Sequence, residues 1–384
     1  MRIVVDIRSL AGGLHGGVSE YTLNLLPELF RAGSSHEFIL FYNGRKAFSL
    51  PRGFLNFKNV HLVCTRYSNK LFTFSCRYLN RPQLDCLVGG ADVLFCPHFL
   101  PAPVSTACKK VVTFHDLSFE YFPEFFDRRR RMWHRYISPR AQARSSDIII
   151  VPSRVTQNDL AETYGIAQEQ IKVIPWGIPD EFFEMGEKNW PQIQQKYQLP
   201  ERYILSLSTI EPRKNHLALI YAFNHLKNNS IFLETKLVLA GPKGWAYKDV
   251  FEEVKKSPYR DDIILTGAIA REDRPDIYRH AGLFVFPSFY EGFGFPPLEA
   301  MALGVPTLVS IFSSLPETAG GGAFLVDPYR PAELARVMAE VLTDNELHEK
   351  LSREGKEQAA KFRWPKTARA ILQVLENKHS TKAQ

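Results

Sequence analysis

Phe284-Val-Phe-Pro-Ser-Phe-Tyr-Glu-Gly-Phe-Gly-Phe-Pro-Pro-Leu-Glu-Ala-Met-Ala-Leu-Gly-Val305 runs from a buried strand through a glycine-rich turn into a helix. The apolar run Leu283 to Phe286 has the length of a buried strand. Gly292 and Gly294 allow a tight turn, Pro296 and Pro297 suit a first helical turn, and Gly304 stops the helix. A helix entered this way presents unpaired backbone N–H groups and the positive end of its dipole, and phosphate is the usual guest. Glu291 and Glu299 flank the turn and would accept hydrogen bonds from sugar or ribose hydroxyls, a combination suited to a nucleotide sugar. Each also has a plainer reading. Glu299 falls near the first helical turn, where the dipole favours a glutamate, and Glu291 serves as a solvated loop carboxylate.

Working outward, Tyr203-Ile-Leu-Ser-Leu-Ser208 reads as another buried strand. Thr209-Ile-Glu-Pro-Arg-Lys-Asn215 follows, then a helical pattern from His216 to Leu226 with Asn215 as the expected N-cap. Arg213 and Lys214 then sit at the positive end of a helix, which disfavours each cation by roughly 0.3–1 kcal/mol. Either an anion shares them, with Arg213 forking to a diphosphate and Lys214 adding a mobile point charge, or the pair turns into water or onto Glu211.

The chain has 384 residues, of which 45% are hydrophobic, more than one core normally uses, so two domains are expected. Strand and helix patterns alternate throughout, indicating α/β architecture with parallel sheets. Expected strands in the first half are Ile3 to Ile7, Phe38 to Tyr42, Val93 to Cys96, Lys110 to Phe114, Ile148 to Val151 and Ile171 to Ile174. The second half adds Tyr203 to Ser208, Lys236 to Ala240, Ile263 to Leu265, Leu283 to Phe286 and Thr307 to Ser310. The junction falls where Pro175, Gly177, Pro179, Pro191 and Pro200 interrupt regular structure. The expected plan is two Rossmann-like, doubly wound parallel-sheet domains facing across a cleft. The first spans residues 1–178, a linker 179–199, and the second 200–364, while the tail His379 to Gln384 is frayed.

No apolar stretch reaches the roughly 18 residues of a membrane span, and Met-Arg-Ile-Val-Val-Asp-Ile7 reads as a strand rather than a secretion signal, so a cytoplasmic protein is expected. Cys64, Cys76, Cys86, Cys96 and Cys108 are odd in number and lack Cys-x-x-Cys spacing, which suits buried or free thiols better than zinc or disulfides.

In the first half, the loop Ala11-Gly-Gly-Leu-His-Gly-Gly-Val18 enters a helix near Ser19. It is either a flexible surface loop or a second close approach to phosphate. It is not Gly-x-Gly-x-x-Gly, which disfavours a nicotinamide dinucleotide site. His115-Asp116 stands at the carboxyl end of a strand, as a capping arrangement or a functional pair. Arg128 to Arg131 cannot all occupy one helix face, while Met132, Trp133, Tyr136 and Ile137 form a stripe with Arg129 falling toward it. With net charge +7 and pI about 9.0, this is either a solvated basic helix with a core-facing stripe or a surface for anionic headgroups or an acceptor pyrophosphate. Leu71, Phe72 and Phe74, within Arg66 to Arg81, either pack or cover a lipid-linked acceptor. Nucleic acid is not expected as a partner, because the basic excess is modest and no binding motif accompanies it.

The chain resembles glycosyltransferase family 4, the glycosyl transferases group 1 of the GT-B fold, and within it the mannosyltransferase-like bacterial members. The resemblance rests on Glu211-Pro-Arg-Lys-Asn215, Leu237-Val-Leu-Ala-Gly-Pro-Lys-Gly-Trp245, Phe286-Pro-Ser-Phe-Tyr-Glu-Gly-Phe-Gly294 and Ser313-Ser-Leu-Pro-Glu317, and covers almost the whole chain. It implies transfer of a hexose, with mannose favoured, from a nucleoside diphosphate sugar to a glycan or lipid-linked saccharide. Retention of configuration and a place in cell-surface polysaccharide assembly are implied too, with peripheral contact at the inner membrane face as a further expectation. Arg213 and Lys214 would stabilise the departing diphosphate, Glu291 orient the donor sugar and Glu299 hold the ribose hydroxyls. Gly292, Phe293 and Gly294 would bring main-chain donors to sugar and phosphate, Gly17 would lie nearest the diphosphate, and His115 would line the reacting face of the sugar. The helix after Phe362-Arg-Trp364, within residues 365–384, would pack back on the first domain.

Neither a cofactor nor a metal is expected, since no Asp-x-Asp pair ends a strand and the Arg-Lys pair can neutralise the diphosphate. The departing phosphate oxygen would take the acceptor's proton, unlike two-carboxylate glycosidase chemistry. Ser208-Thr209 stands where many relatives carry Gly-Arg or Gly-Thr, and Trp176 where a polar residue is frequent. The competing readings are a sugar-nucleotide isomerase or epimerase on the same architecture and a noncatalytic partner protein with a vestigial cleft.

Overall fold

The computed structural model describes residues 1–12, 16–44, 53–184, 186 and 190–377. Gly13, Leu14 and His15 of the glycine loop, and the tail His379 to Gln384, lie outside the described residues. The chain divides into two compact units, residues 1–117, 128–177 and 363–384 in the first and 118–127 and 178–362 in the second.

The first unit holds β1 (Arg2–Asp6), β2 (Glu37–Asn43), β3 (Val60–Thr65), β4 (Val93–Cys96), β5 (Lys109–Thr113), β6 (Ile148–Val151) and β7 (Ile171–Val173). They form one parallel sheet in the order β3-β2-β1-β4-β5-β6-β7. The second unit holds β8 (Tyr203–Leu207), β9 (Lys236–Ala240), β10 (Ile263–Gly267), β11 (Leu283–Phe286), β12 (Thr307–Ser310) and β13 (Phe324–Val326). Their order is β10-β9-β8-β11-β12-β13, again all parallel. Helices cover both faces of such a sheet, so its central strands read as continuous apolar runs; β8 and β11 are buried at every residue. In each sheet the order reverses once, between β1 and β4 and between β8 and β11, and the carboxyl ends flanking that reversal are where ligands of this architecture gather.

Two domain boundaries and two strands differ from expectation. Residues 179–199 are not a linker. They belong to the second unit, carry the Trp190–Tyr197 helix, and bury Phe182, Ile193, Tyr197 and Leu199, with Tyr197 Oη donating to Asp273 at 2.8 Å. Ser118–Asp127, inside the expected first domain, also belongs to the second unit. Two strands, β3 and β13, were not foreseen. Both are sheet edges, and their exposed or half-buried positions break the apolar run that marks an interior strand. The Trp364–Glu376 helix lies in the first unit, where it buries Ala368, Ile371, Leu372 and Leu375. The Lys109 ammonium caps it by donating to the Val374 and Asn377 carbonyls at 2.6 and 2.8 Å, a favourable use of a cation at a helix carboxyl end.

Candidate functional site

Because β8 and β11 are neighbours across the reversal, the loops leaving them meet. After β8, Glu211 opens a 3₁₀ turn over Pro212–Lys214, and Asn215 adopts a left-handed backbone (φ 55°) before the His216–Lys227 helix. Asn215 holds the N-cap position but makes no side-chain cap. Its Nδ2 instead donates to the Pro328 carbonyl at 2.9 Å, bracing the loop after β13.

The two loops are joined first by backbone, Phe289 N–H donating to the Arg213 carbonyl at 2.9 Å. Arg213 Nη1 donates to the Tyr290 carbonyl at 2.8 Å and to Glu291 Oε2 at 2.9 Å, while Nη2 lies 3.0 Å from Glu211 Oε1. Lys214 Nζ is 2.5 Å from Glu291 Oε1 and 5.0 Å from the centre of the Phe286 ring. Of the alternatives for the cation pair, Arg213 does turn onto Glu211, and Glu291 adds a carboxylate from the opposite loop that ties both cations. Glu291 is therefore not a solvated loop residue; it is 7% exposed and Glu211 3%. Burial lowers the Lys214 pKa, and Arg213 lowers it further, while Glu291 and Glu211 oppose the shift. The beginning of the helix adds a fixed neutral neighbour, since burial and Lys214 push the His216 pKa down to about 3.

Glu291 is fixed through its main chain as well. Its N–H donates to Ser313 Oγ and its carbonyl accepts from Ser314 Oγ, both at 2.8 Å. That accounts for the Ser313-Ser-Leu-Pro-Glu317 motif, whose serines hold the turn before the Leu315–Ala319 helix. The flanking rings are held by Ser118–Asp127, a stretch to which the sequence reading gave no role. Tyr121 stacks on Tyr290 with centres 5.9 Å apart, Phe125 on Phe289 at 5.5 Å, and Phe126 on Trp245 at 5.5 Å. Trp245 Nε1 donates to the Phe125 carbonyl. The available signal was the aromatic density of Phe119, Tyr121, Phe122, Phe125 and Phe126.

Gly294 caps the Phe295–Ala302 helix at φ 99°, a conformation that excludes other residues without strain; an added Cβ would also fall 2.7 Å from Leu315 Cδ2. Gly292 is buried beside it, and Phe293 packs edge-on against Phe295 and Phe362 in the second unit's core. Glu299 is the fifth residue of the helix, beyond the first turn, so the helix-dipole explanation for it fails. It is buried, and Tyr278 Oη donates to its Oε2 at 2.9 Å. Burial, and then the Glu299 charge, keep Tyr278 protonated by raising its pKa.

Gly17 and His115 belong to the first unit. Gly17 is the first residue of the Gly17–Ala32 helix, and a Cβ there would meet nothing within 4 Å. His115 follows β5, and Tyr21, one turn into that helix, meets its ring edge-on at 4.9 Å. His115 Nε2 lies 2.8 Å from the Pro97 carbonyl, which can only accept, so the proton is on Nε2. Burial lowers its pKa to about 4 against the opposing pull of that hydrogen bond and of Asp116, leaving a neutral ring at pH 7. The sequence reading also missed Asp6 and Arg8 at the end of β1, a buried ion pair at 2.6 Å that carries the chain toward the glycine loop. All five cysteines are free thiols, Cys76, Cys96 and Cys108 buried. Among the described residues, no helix is long and apolar enough to cross a membrane, and no cluster of three or more His, Cys, Asp or Glu residues could hold a metal ion.

Residues 189–358 match the family described as Glycosyl transferases group 1, and residues 15–182 match Glycosyltransferase Family 4. The chain is 34% identical over 248 residues to the serotype-specific mannosyltransferase WbdA of Escherichia coli, covering 62% of this chain but 30% of that protein's length. It is 31% identical over 263 residues to the O-antigen chain mannosyltransferase B of Escherichia coli, with 67% of each chain covered. Its fold is similar to that of HepE from Anabaena, solved in complex with UDP-glucose, with a TM-score of 0.72 at 16% identity over 98% of this chain and 99% of that one. With the Glu-Pro-Arg-Lys and Phe-Tyr-Glu-Gly-Phe-Gly loops joined at the reversal of the second sheet and both halves of the sequence matched, the chain belongs to the glycosyltransferases of family 4, the glycosyl transferases group 1.

Proposed function

We propose that this chain transfers a hexose, with mannose favoured, from a nucleoside diphosphate sugar to a saccharide or lipid-linked saccharide acceptor, retaining the anomeric configuration and requiring no metal. The observation that carries the reading is the buried cluster of Arg213, Lys214, Glu211 and Glu291 at the strand-order reversal. Two cations there can take a diphosphate, with Arg213 forking to its oxygens and Lys214 supplying a compact charge as the leaving group gains negative charge. Each cation already has a carboxylate partner, so an incoming diphosphate exchanges one anionic partner for another instead of meeting bare charge. Glu291, once it shares the cations with phosphate, has acceptor oxygens for the hydroxyls of the donor sugar, while Glu299, held by Tyr278, would take the ribose hydroxyls. His115 in its neutral Nε2–H form suits a hydrogen-bonding role toward the sugar and does not require a nucleophile. Mannose is favoured by the two mannosyltransferase relatives, and the nucleotide sugar by the ligand of HepE.

Calorimetric titration with GDP, UDP, dTDP and ADP, then with the sugars of whichever nucleotide binds, tests the site. One nucleotide is expected to bind selectively, and Lys214→Ala to weaken it by about 1.5–3 kcal/mol, roughly ten- to a hundredfold, the worth of a charge-assisted hydrogen bond. Equal affinity in wild type and variant removes the proposed diphosphate site. Donor incubated alone should remain unchanged; conversion of its sugar points to an isomerase. With acceptor, the product anomer read by NMR and activity after chelator treatment test retention and metal independence separately.

A further inference from the structure

The loops that leave β12 and β13 carry apolar side chains that the core does not use. Directly after β12, Ile311 and Phe312 are both exposed, and after β13 Tyr329 is 63% exposed. Phe312 and Tyr329 meet edge-on with ring centres 5.8 Å apart, and Tyr329 lies 4.9 Å from Phe289. Phe289 stacks in turn on Phe125 at 5.5 Å, and Phe125 on Phe122 at 5.3 Å. These five rings form one row within the second unit, half-buried at Phe122, Phe125 and Phe289 and open to water at Tyr329 and Phe312. Single exposed apolar residues are ordinary, but a contiguous row of rings marks a binding surface.

The open end of the row is held in place by its own loops. Phe312 N–H donates to Ser310 Oγ at 3.1 Å, and Ser313 behind it takes a left-handed backbone (φ 56°), uncommon for a residue with a side chain. Tyr329 N–H donates to Asp327 Oδ1 at 2.9 Å, and Arg330 N–H to the Asp327 carbonyl at 3.1 Å. The same loops are tied to the cation cluster at three points. Phe289 N–H donates to the Arg213 carbonyl, Ser313 Oγ accepts the Glu291 N–H, and the Pro328 carbonyl accepts from Asn215. Rings that are exposed and yet fixed in advance lose little freedom when a ligand covers them.

We propose that Phe289, Tyr329 and Phe312 form a saccharide subsite on the second unit, where sugar units of an oligosaccharide acceptor, behind the unit that reacts, stack on the rings. The proposal rests on the saccharide acceptor of the reading above and adds where its chain runs. Continuity selects this occupant, because the row begins at residues bonded to the donor loops and a chain leaving that site meets it. The chemistry agrees. An aromatic face is electron-rich and attracts the polarised C–H edges of a sugar ring, and the Tyr329 hydroxyl can give or take a hydrogen bond. The charged side chains beside Tyr329 are matched among themselves, Arg330 lying 3.3 Å from Asp327 and 3.6 Å from Glu333, so this loop offers a phosphate no surplus cation and suits a neutral ligand.

Saturation-transfer NMR of the full chain with a linear mannotetraose, followed as a titration, tests this without a transfer reaction. Saturating the aromatic protons should carry over to the C–H protons of the sugar. Mannotetraose should bind at least about tenfold more tightly than free mannose, which can cover one ring only. Phe312→Ala with Tyr329→Ala should weaken it roughly tenfold, and Tyr329→Phe, which keeps the ring, should bind like the wild type. Tyr221→Ala, at an exposed aromatic residue of the His216–Lys227 helix outside the row, should change nothing and serves as the control. Both rings removed in the double variant are exposed, so it should melt like the wild type and bind the selected nucleotide equally well. Nucleotide binding without mannotetraose binding, equal affinity for mannose and mannotetraose, or full binding by the double variant overturns the subsite and leaves the proposed transfer standing. Mannotetraose binding that the double variant loses, in a protein that binds no nucleotide, supports the subsite and removes the transfer. A dimer in sedimentation velocity that the double variant abolishes overturns the subsite by giving the row to a second copy of the chain.

Discussion

Tyr278 shows how a residue outside every sequence motif can tune one inside. Its hydroxyl donates to Glu299, and its ring is fixed edge-on by Phe182 and Phe284 with centres 6.0 and 5.3 Å away. Tyr278→Phe keeps those ring contacts and removes only the donor, leaving a buried carboxylate oxygen short of a partner, at about 1–3 kcal/mol. If Glu299 binds the ribose, its carboxylate loses one of the contacts that orient it. The Michaelis constant for the donor should rise severalfold with turnover less affected, because the lost contact acts on binding rather than on charge that develops during reaction. A lowered melting temperature with unchanged donor kinetics would reduce Tyr278 to a structural role. Arg213 and Lys214 could be recognised from sequence, since cations at a helix N-terminus are out of place. Their bond to Glu291 could not, because only the sheet order brings the β8 and β11 loops together.

At the scale of elements, the second unit depends on how closely its exit loops approach one another. Gly241, just after β9, has φ 142°, and a Cβ there would fall 1.9 Å from the Ser208 carbonyl oxygen, at the start of the loop that carries Arg213. The obstacle is backbone, which cannot swing aside as a side-chain end would. Gly241→Ala is expected to cost about 3 kcal/mol or more in urea unfolding and to weaken nucleotide binding by shifting the β8 loop. Gly17→Ala, where a Cβ meets nothing, should leave unfolding unchanged, so any loss of donor affinity there reports ligand approach alone. The same scale sets the limits of reading sequence. Val93 to Cys96, Ile148 to Val151, Lys236 to Ala240, Leu283 to Phe286 and Thr307 to Ser310 were legible to the residue, because burial on both faces leaves an unbroken apolar run. The edge strands β3 and β13 lacked that run, and the aromatic density of Ser118–Asp127 marks it as packed without saying that it packs in the second unit, which is a property of tertiary pairing rather than of local pattern.

For the whole molecule, three histidines, His216 buried and His98 and His115 half-buried, tie stability to pH. Burial holds His98 and His216 at about 3 and His115 at about 4, each further lowered or opposed by its neighbours, against an ordinary value of 6.5. The two units share this liability, His98 and His115 in the first and His216 in the second. The unfolded chain takes up protons at these rings below about pH 6.5 while the folded chain does not until near pH 4 or 3, so acid favours the unfolded state and stability rises with pH across that window. His115 alone accounts for about 3 kcal/mol of this change, at 1.36 kcal/mol for each pH step between its folded and unfolded values. Asp262, whose pKa is lowered although burial works against its Lys227 and Lys236 hydrogen bonds, contributes stability that is lost only as pH falls through and below its ordinary 3.8, so it does not produce the loss above pH 4. Urea unfolding at pH 7.5, 6 and 5 should therefore show a falling midpoint well before carboxylates protonate. His115→Gln, which retains a donor for the Pro97 carbonyl but has no ring to titrate, should flatten the slope in proportion to one histidine. A stability unchanged between pH 7.5 and 5, or an identical slope in the variant, would mean that these rings take up protons as readily in the folded chain as in the unfolded one.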